Sequence, residues 1–223
     1  LSTIEFQQAS LECAATVAQL GRYRQQAINV LADESVRTAF DVENSAPEVL
    51  ERYGKNKFGL SLLMARRLVE AGVRLVQVNL GKNSSFDTHR RNFPNLKDNL
   101  LPYMDRGLTA LLDDLEESGM LESTLVIISG EFGRTPNINP DGGRDHWGPT
   151  MTSLFAGAGV QGGKVIGATD DIAAYPISDK QTPENIAATI FHTLGIPHET
   201  MWLDFDGRPH ELYRASPIAD LFG

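Results

Sequence analysis

Apolar residues recur at helical spacing in four stretches of this chain and run almost without interruption in three others. Leu11, Ala15 and Ala18 place one or two helices within Ile4–Leu31, and the polar residues 33–57 read as a linking segment with short turns. Phe58, Leu62, Leu63, Ala65, Leu68 and Val69 predict a helix closed by Gly72, a residue suited to the left-handed position just past a helix end. Val73–Leu80 follows as a strand rich in β-branched residues. After a loop over 81–94, the series Leu96, Leu100, Met104, Leu108, Leu111, Leu112, Leu115 predicts a long amphipathic helix ending near Gly119. Thr124–Ser129 reads as a strand covered on both faces, and Met151–Ala156 as a third strand. Gly157–Gly163 reads as a turn and Val165-Ile166 as a short extended piece. Thr182-Pro183-Glu184 begins the last helix, which continues through Ile186, Ile190 and Leu194 to Gly195. Residues 207–223 read as turns with a short apolar end at Ile218–Phe222.

Strand, helical crossover and strand in this order argue for parallel pairing and right-handed winding. The expected fold class is therefore α/β, with a central, mainly parallel sheet flanked by helices. Residues 1–57 form a helical and linking segment, and residues 58–223 the α/β domain. In such a sheet the loops after Leu80 and after Ser129 leave from one edge, where open α/β sheets place their ligands.

Composition narrows the function classes. A formal net charge of −9 and a pI near 5.0 disfavour nucleic acid and anionic membrane surfaces, which both require a cationic face. The one cysteine, Cys13, excludes an intramolecular disulfide and reads as a small buried residue of the first helix. No apolar run approaches the roughly 18 residues of a membrane span.

The chemistry gathers in two loops. The first carries Asp87-Thr88-His89, a carboxylate and an imidazole two residues apart, both suitable for zinc, manganese or iron. The second opens with Glu131 and Arg134 and ends in Gly142-Gly143-Arg144-Asp145-His146-Trp147. A carboxylate at the end of a buried strand is costly unless paired or metal-bound, so Glu131 needs a partner. Two readings stand side by side. In one, Arg144 with Glu131 and Arg134 with Asp145 simply order a long loop. In the other, two histidines and a carboxylate form a three-ligand metal site with open positions. His192, in a helix's last turn, reads as structural, and His198 and His210 as solvated. Neither a G-x-S-x-G elbow nor a P-loop is present.

Several stretches also resemble the sulfatase-like bacterial proteins of the alkaline phosphatase superfamily. They are Arg52-Tyr53-Gly54, Ala65–Val73, Asp87-Thr88-His89, Leu111–Leu115, Gly130–Pro136, Gly143–Trp147, Gly163–Asp170 and Gly207-Arg208-Pro209. The resemblance runs from about residue 38 and is to the carboxyl-terminal half of those proteins. It implies an alkaline-phosphatase-like sandwich and metal-dependent hydrolysis of sulfate or phosphate esters, with an anionic ester or sulfated glycan as substrate. It implies a divalent metal (zinc, calcium or manganese) on Asp87, His89 and His146. Glu131 then serves a second metal or orients the first, Arg134 or Arg144 holds the anionic group, and Asp145 positions metal or substrate. The histidine expected after Glu131 is replaced by Phe132. The first strand with its metal-binding Asp and nucleophile is not found in residues 1–57, and Cys13 lacks the formylglycine signature. These departures leave an alternative, a non-catalytic metal-binding module at the cell surface. Full-length members of that group commonly begin with a twin-arginine export signal, so the resemblance implies an extracytoplasmic location, periplasmic or secreted.

Overall fold

Asn56 begins the helix Lys57–Glu70 by accepting at Oδ1 from the backbone N–H groups of Phe58 and Gly59, at 2.9 and 3.2 Å. Such a cap satisfies donors that have no partner in the helix's first turn and is worth about 1 kcal/mol. Buried Phe58, Leu62, Leu63 and Ala65 line one side of this helix, and Gly72 leaves it at φ 87°. The computed structural model of the chain describes residues 34–82 and 84–223, with Gly21 and Arg24. The expected helix within Ile4–Leu31 and the burial of Cys13 lie outside the described residues.

The chain divides into two compact units, Leu1–Asn83 with Tyr103–Leu111, and Ser84–Pro102 with Leu112–Gly223. In the first, the short helices Glu34–Phe40 and Pro47–Tyr53 both pack on Lys57–Glu70. Val36, Ala39, Val42, Tyr53 and Leu63 are buried there. Arg67 fastens the linking turns, donating to the Asp41 carbonyl and to Ser45 Oγ, each at 2.9 Å.

Val73–Leu80 is not a strand. It joins no ladder among the described residues, and Leu75 is 72 % exposed. β-branched residues describe a chain that fits a pleated surface, and a ladder also needs a partner.

The long helix forms, with an irregular entry. Asn92–Asn95 is helical, Leu96–Leu100 is a π-turn, and Leu101–Glu117 is the regular helix. Pro102 accounts for the widened turn, because its ring crowds the carbonyl four residues earlier. The Leu101 N–H bonds instead to the Leu96 carbonyl, five residues back. Gly119, at φ 71°, ends the helix. Among the described residues no helix is long and apolar enough to cross a membrane.

Strands appear only as four two-stranded antiparallel pairs among the described residues. In the second unit β1 (Val126–Ser129) pairs with β4 (Ser153–Ala156), and β2 (Gly133–Arg134) with β3 (His146–Trp147). β5 (Ala168–Thr169) pairs with β6 (Pro176–Ser178), and β7 (Met201–Leu203) with β8 (Pro209–Glu211). The expected central parallel sheet is therefore corrected. The strand due to lie beside β1 is unpaired, and β1 takes β4 antiparallel instead. β1 is accordingly only half-buried, with Ser129 exposed. The helix Pro183–Thr193 starts as expected, with Thr182 at its N-cap and Pro183 in its first turn.

Antiparallel pairing decides where the long loop goes. Ser129 stands opposite Ser153, so the chain leaves β1 and re-enters β4 at the same end. Between them Gly133 pairs with Trp147 and Arg134 with His146. Residues 130–152 thus form a second, nested hairpin continuing the first.

Candidate metal centre

The tip of the nested hairpin captures the 87–92 segment through backbone hydrogen bonds. Arg90 and Gly142 form an antiparallel bridge. The N–H groups of Arg91 and Asn92 donate to the carbonyls of Asp141 and Gly142, at 3.1 and 2.9 Å, and that of Arg144 to the Thr88 carbonyl at 3.2 Å. Asn139 organises the turn. Its Oδ1 accepts from the N–H groups of Asp141 and Gly143, and its Nδ2 donates to the His89 carbonyl. Thr88 is buried and donates to Asn92 Oδ1. Tight turns bonded from the Thr88 N–H to the Phe86 carbonyl and from the His89 N–H to the Asp87 carbonyl carry the chain here, and Asp87 and His89 stay part-exposed on either side of buried Thr88.

There His146 Nε2 lies 2.8 Å from Asp87 Oδ1, His89 Nε2 lies 3.0 Å from the same oxygen, and the two Nε2 atoms are 3.2 Å apart. A tetrahedral ion with ligand bonds of 2.0–2.1 Å holds its donors roughly 3.3 Å apart. The three atoms have nearly that spacing. Proton placement points the same way. Asp145 Oδ1 lies 2.7 Å from His89 Nδ1, which places the proton on Nδ1 and turns a lone pair at Nε2 toward the Asp87 oxygen. His146 Nε2 donates to that same oxygen in the metal-free chain, and an ion taking the place of its proton would meet all three donors. A carboxylate on the far nitrogen of a ligating histidine is the usual outer support of such a site. The donor set therefore fits a divalent ion, and Asp87, His89 and His146 form a potential metal-binding triad.

The site is accessible. The side chains of Asp87, His89 and His146 are 35 %, 41 % and 50 % exposed. Arg134 donates to Asp87 Oδ1 at 2.6 Å and to the Phe86 carbonyl at 3.2 Å. The Phe132 ring packs 4.4 Å from that of His146 and 5.9 Å from the Arg134 guanidinium carbon. Hydrogen bonds from His146, then from Arg134, hold the Asp87 carboxyl at about 2, below its ordinary 3.8. Asp145 is lowered too, chiefly by His89 and next by Asn139.

Asp145→Asn keeps the shape but removes the charge behind His89, and weakens metal affinity about 10- to 100-fold, measurable by competition with a chromophoric chelator. In metal-free protein the depressed Asp87 contributes stability that is fully present above its unfolded pKa and is lost as pH falls through the folded value. The unfolding midpoints of the native chain and Asp87→Asn, separated at pH 5, should therefore converge as pH falls from about 4 to about 2.

The remaining candidates have other places. Glu131 is exposed just past β1, so it bears no burial cost, and it makes no hydrogen bond or ion pair among the described residues. Arg144 donates to the carbonyls of Thr135 and Pro136, at 2.7 and 2.9 Å, with its guanidinium carbon 5.8 Å from the Phe93 ring centre. The pairs Arg144–Glu131 and Arg134–Asp145 do not form; Arg134 binds Asp87 instead. His192 packs its ring edge-on to Phe222. His210 pairs with Asp204 at 2.9 Å and stacks on Trp202, and His198 packs against Tyr213. Sequence reasoning missed Asn139, although Asn-Pro-Asp-Gly at 139–142 is a turn signal in which asparagine bonds to backbone just ahead.

The family described as "Protein of unknown function (DUF1501)" matches residues 3–222. No curated protein and no solved structure matches the chain. The family description names neither a sulfatase nor a phosphatase, so the resemblance to the alkaline phosphatase superfamily is withdrawn. The antiparallel pairs likewise replace the parallel sheet it implied. Because the match spans nearly every residue, the chain belongs to the DUF1501 family of proteins of unknown function.

Proposed function

We propose that Asp87, His89 and His146 hold one divalent ion of the zinc class and that this centre hydrolyses anionic esters of sulfate or phosphate. The observation that carries the reading is a three-ligand set open to solvent on its remaining side. Structural zinc sites are closed by four protein ligands, whereas catalytic ones keep a position for water or substrate. Two imidazoles favour zinc over calcium, which prefers oxygen ligands throughout. When bound, such an ion supplies Lewis acidity toward an ester oxygen or a coordinated water. Asp145 fixes the ring of His89. Arg134 neutralises Asp87, so that an ion's positive charge stays available to an anionic substrate.

A second reading, a metal-binding module without catalysis, has its own support. Arg134 and Arg144 are both occupied, so neither guanidinium stands free for an anion. Thr88, the hydroxyl between two of the ligands, is buried and bonded to Asn92. Zinc-reconstituted protein assayed on aryl phosphate and aryl sulfate esters separates the two. The hydrolase reading expects turnover that chelation and His89→Ala abolish. Full metal loading without turnover of either ester sinks it in favour of the binding module.

A further inference from the structure

A cleft of about 320 Å³ opens beside the centre, and Asp145 belongs to both. The volume falls at the small end of ligand pockets, which run from about 300 to 1,000 Å³, and suits a single ring. Its walls are Trp147, Tyr175, Ile138 and Ile172. The Trp147 and Tyr175 rings meet at 67° with centres 5.6 Å apart, forming an aromatic corner. Trp147, part-buried, is fixed there by donating from Nε1 to the Ala174 carbonyl at 2.7 Å. Ile138, Ile172 and Tyr175 are 52 %, 67 % and 53 % exposed. Three apolar side chains thus remain open to solvent around the cleft.

The polar groups specify what kind of ring. No lysine, arginine or histidine lines the cleft, and the Asp145 carboxylate does, so an anion is disfavoured. Asp145 Oδ1 is taken by His89 and Asn139, whereas Oδ2 has no partner among the described residues. Neither the Tyr175 hydroxyl nor the Asn137 amide has a hydrogen-bond partner among them. An aromatic face carries negative charge density and attracts weakly positive C–H groups. An uncharged molecule with a C–H face and a rim of hydroxyls matches this surface; a flat aryl ring matches only the walls.

We propose that the cleft between Trp147 and Tyr175, with Asp145 at its inner edge, binds a neutral pyranose ring. Assigning that ring to the ester's substrate rests on the hydrolase reading of the centre; the binding itself does not. Ligand-observed NMR with methyl glucoside, methyl galactoside and methyl xyloside tests it, with phenol and sulfate as comparisons, in zinc-loaded and chelator-treated protein. At least one glycoside is expected to bind saturably in the millimolar range with and without zinc. Tyr175→Ala, at an exposed position, should weaken it about tenfold, as should Trp147→Ala if folded, while Trp202→Phe on the β7–β8 hairpin leaves it unchanged. Binding of phenol or sulfate without any glycoside overturns the proposal, as does no binding at all. Zinc uptake without glycoside binding refutes only this inference, and glycoside binding without zinc uptake refutes only the metal centre.

Discussion

His146→Ala should yield a protein that no longer retains a stoichiometric divalent ion. Elemental analysis after zinc loading and desalting is expected to give about one ion per native chain and essentially none for the variant. His146 is one of three converging donors, and its Nε2 lies within 3.2 Å of both others. A two-ligand remainder, half-exposed to water, has little to set against the ion's hydration. The effect should exceed the 10- to 100-fold attached to the outer carboxylate. His89→Ala should do the same and also free Asp145 from its histidine. Unchanged stoichiometry in both variants would falsify the ligand assignment.

Gly143→Ala should be the most damaging single methyl in the site. A Cβ there would lie 1.9 Å from the His89 carbonyl oxygen and 2.0 Å from its carbon. Both struck atoms are backbone, so no side chain can turn away to make room. Overpacking typically costs about 1–3 kcal/mol. Here relief requires the hairpin tip to part from the 87–92 segment, which carries two of the ligands. Loss of metal should therefore accompany a lower melting temperature. Gly148→Ala provides the control, since a Cβ there meets nothing within 4 Å and should stay within about 0.5 kcal/mol of the native chain. If the two variants melt together and load metal equally, the close approach has no role in assembling the site.

The contrast between these glycines shows what the sequence could reveal. The three longer helices were legible because their signals are local, whereas the short helices Glu34–Phe40 and Pro47–Tyr53 form where only linking turns were expected. Asn56, Thr182, Gly72 and Gly119 cap or end the longer ones through atoms a few residues away. The Asp87–His89 pair was legible for the same reason, since its residues stand only two positions apart. Sheet topology was not. Val73–Leu80 and Val126–Ser129 have similar apolar, β-branched content, yet one pairs and the other does not. Nothing in either run states which strand lies beside it. The charge pairing was misjudged on related grounds. Arg134 was expected to meet Asp145 and Arg144 to meet Glu131, but the fold brings Arg134 to Asp87 and leaves Glu131 in solvent.

The nested hairpin has a thermodynamic consequence. His89 and His146 stand 57 residues apart in the chain, brought together by backbone hydrogen bonds between the 87–92 segment and the hairpin tip and by the side chain of Asn139. An ion joining them would act as a clasp on that span. In the chain-entropy view, closing a loop of this length restricts the unfolded ensemble by up to about 4 kcal/mol. That is comparable with much of a small domain's net stability. Withdrawing the ion would therefore enlarge the unfolded chain's freedom as well as disarm a site, and the same three side chains would govern both how long the protein survives and what it does.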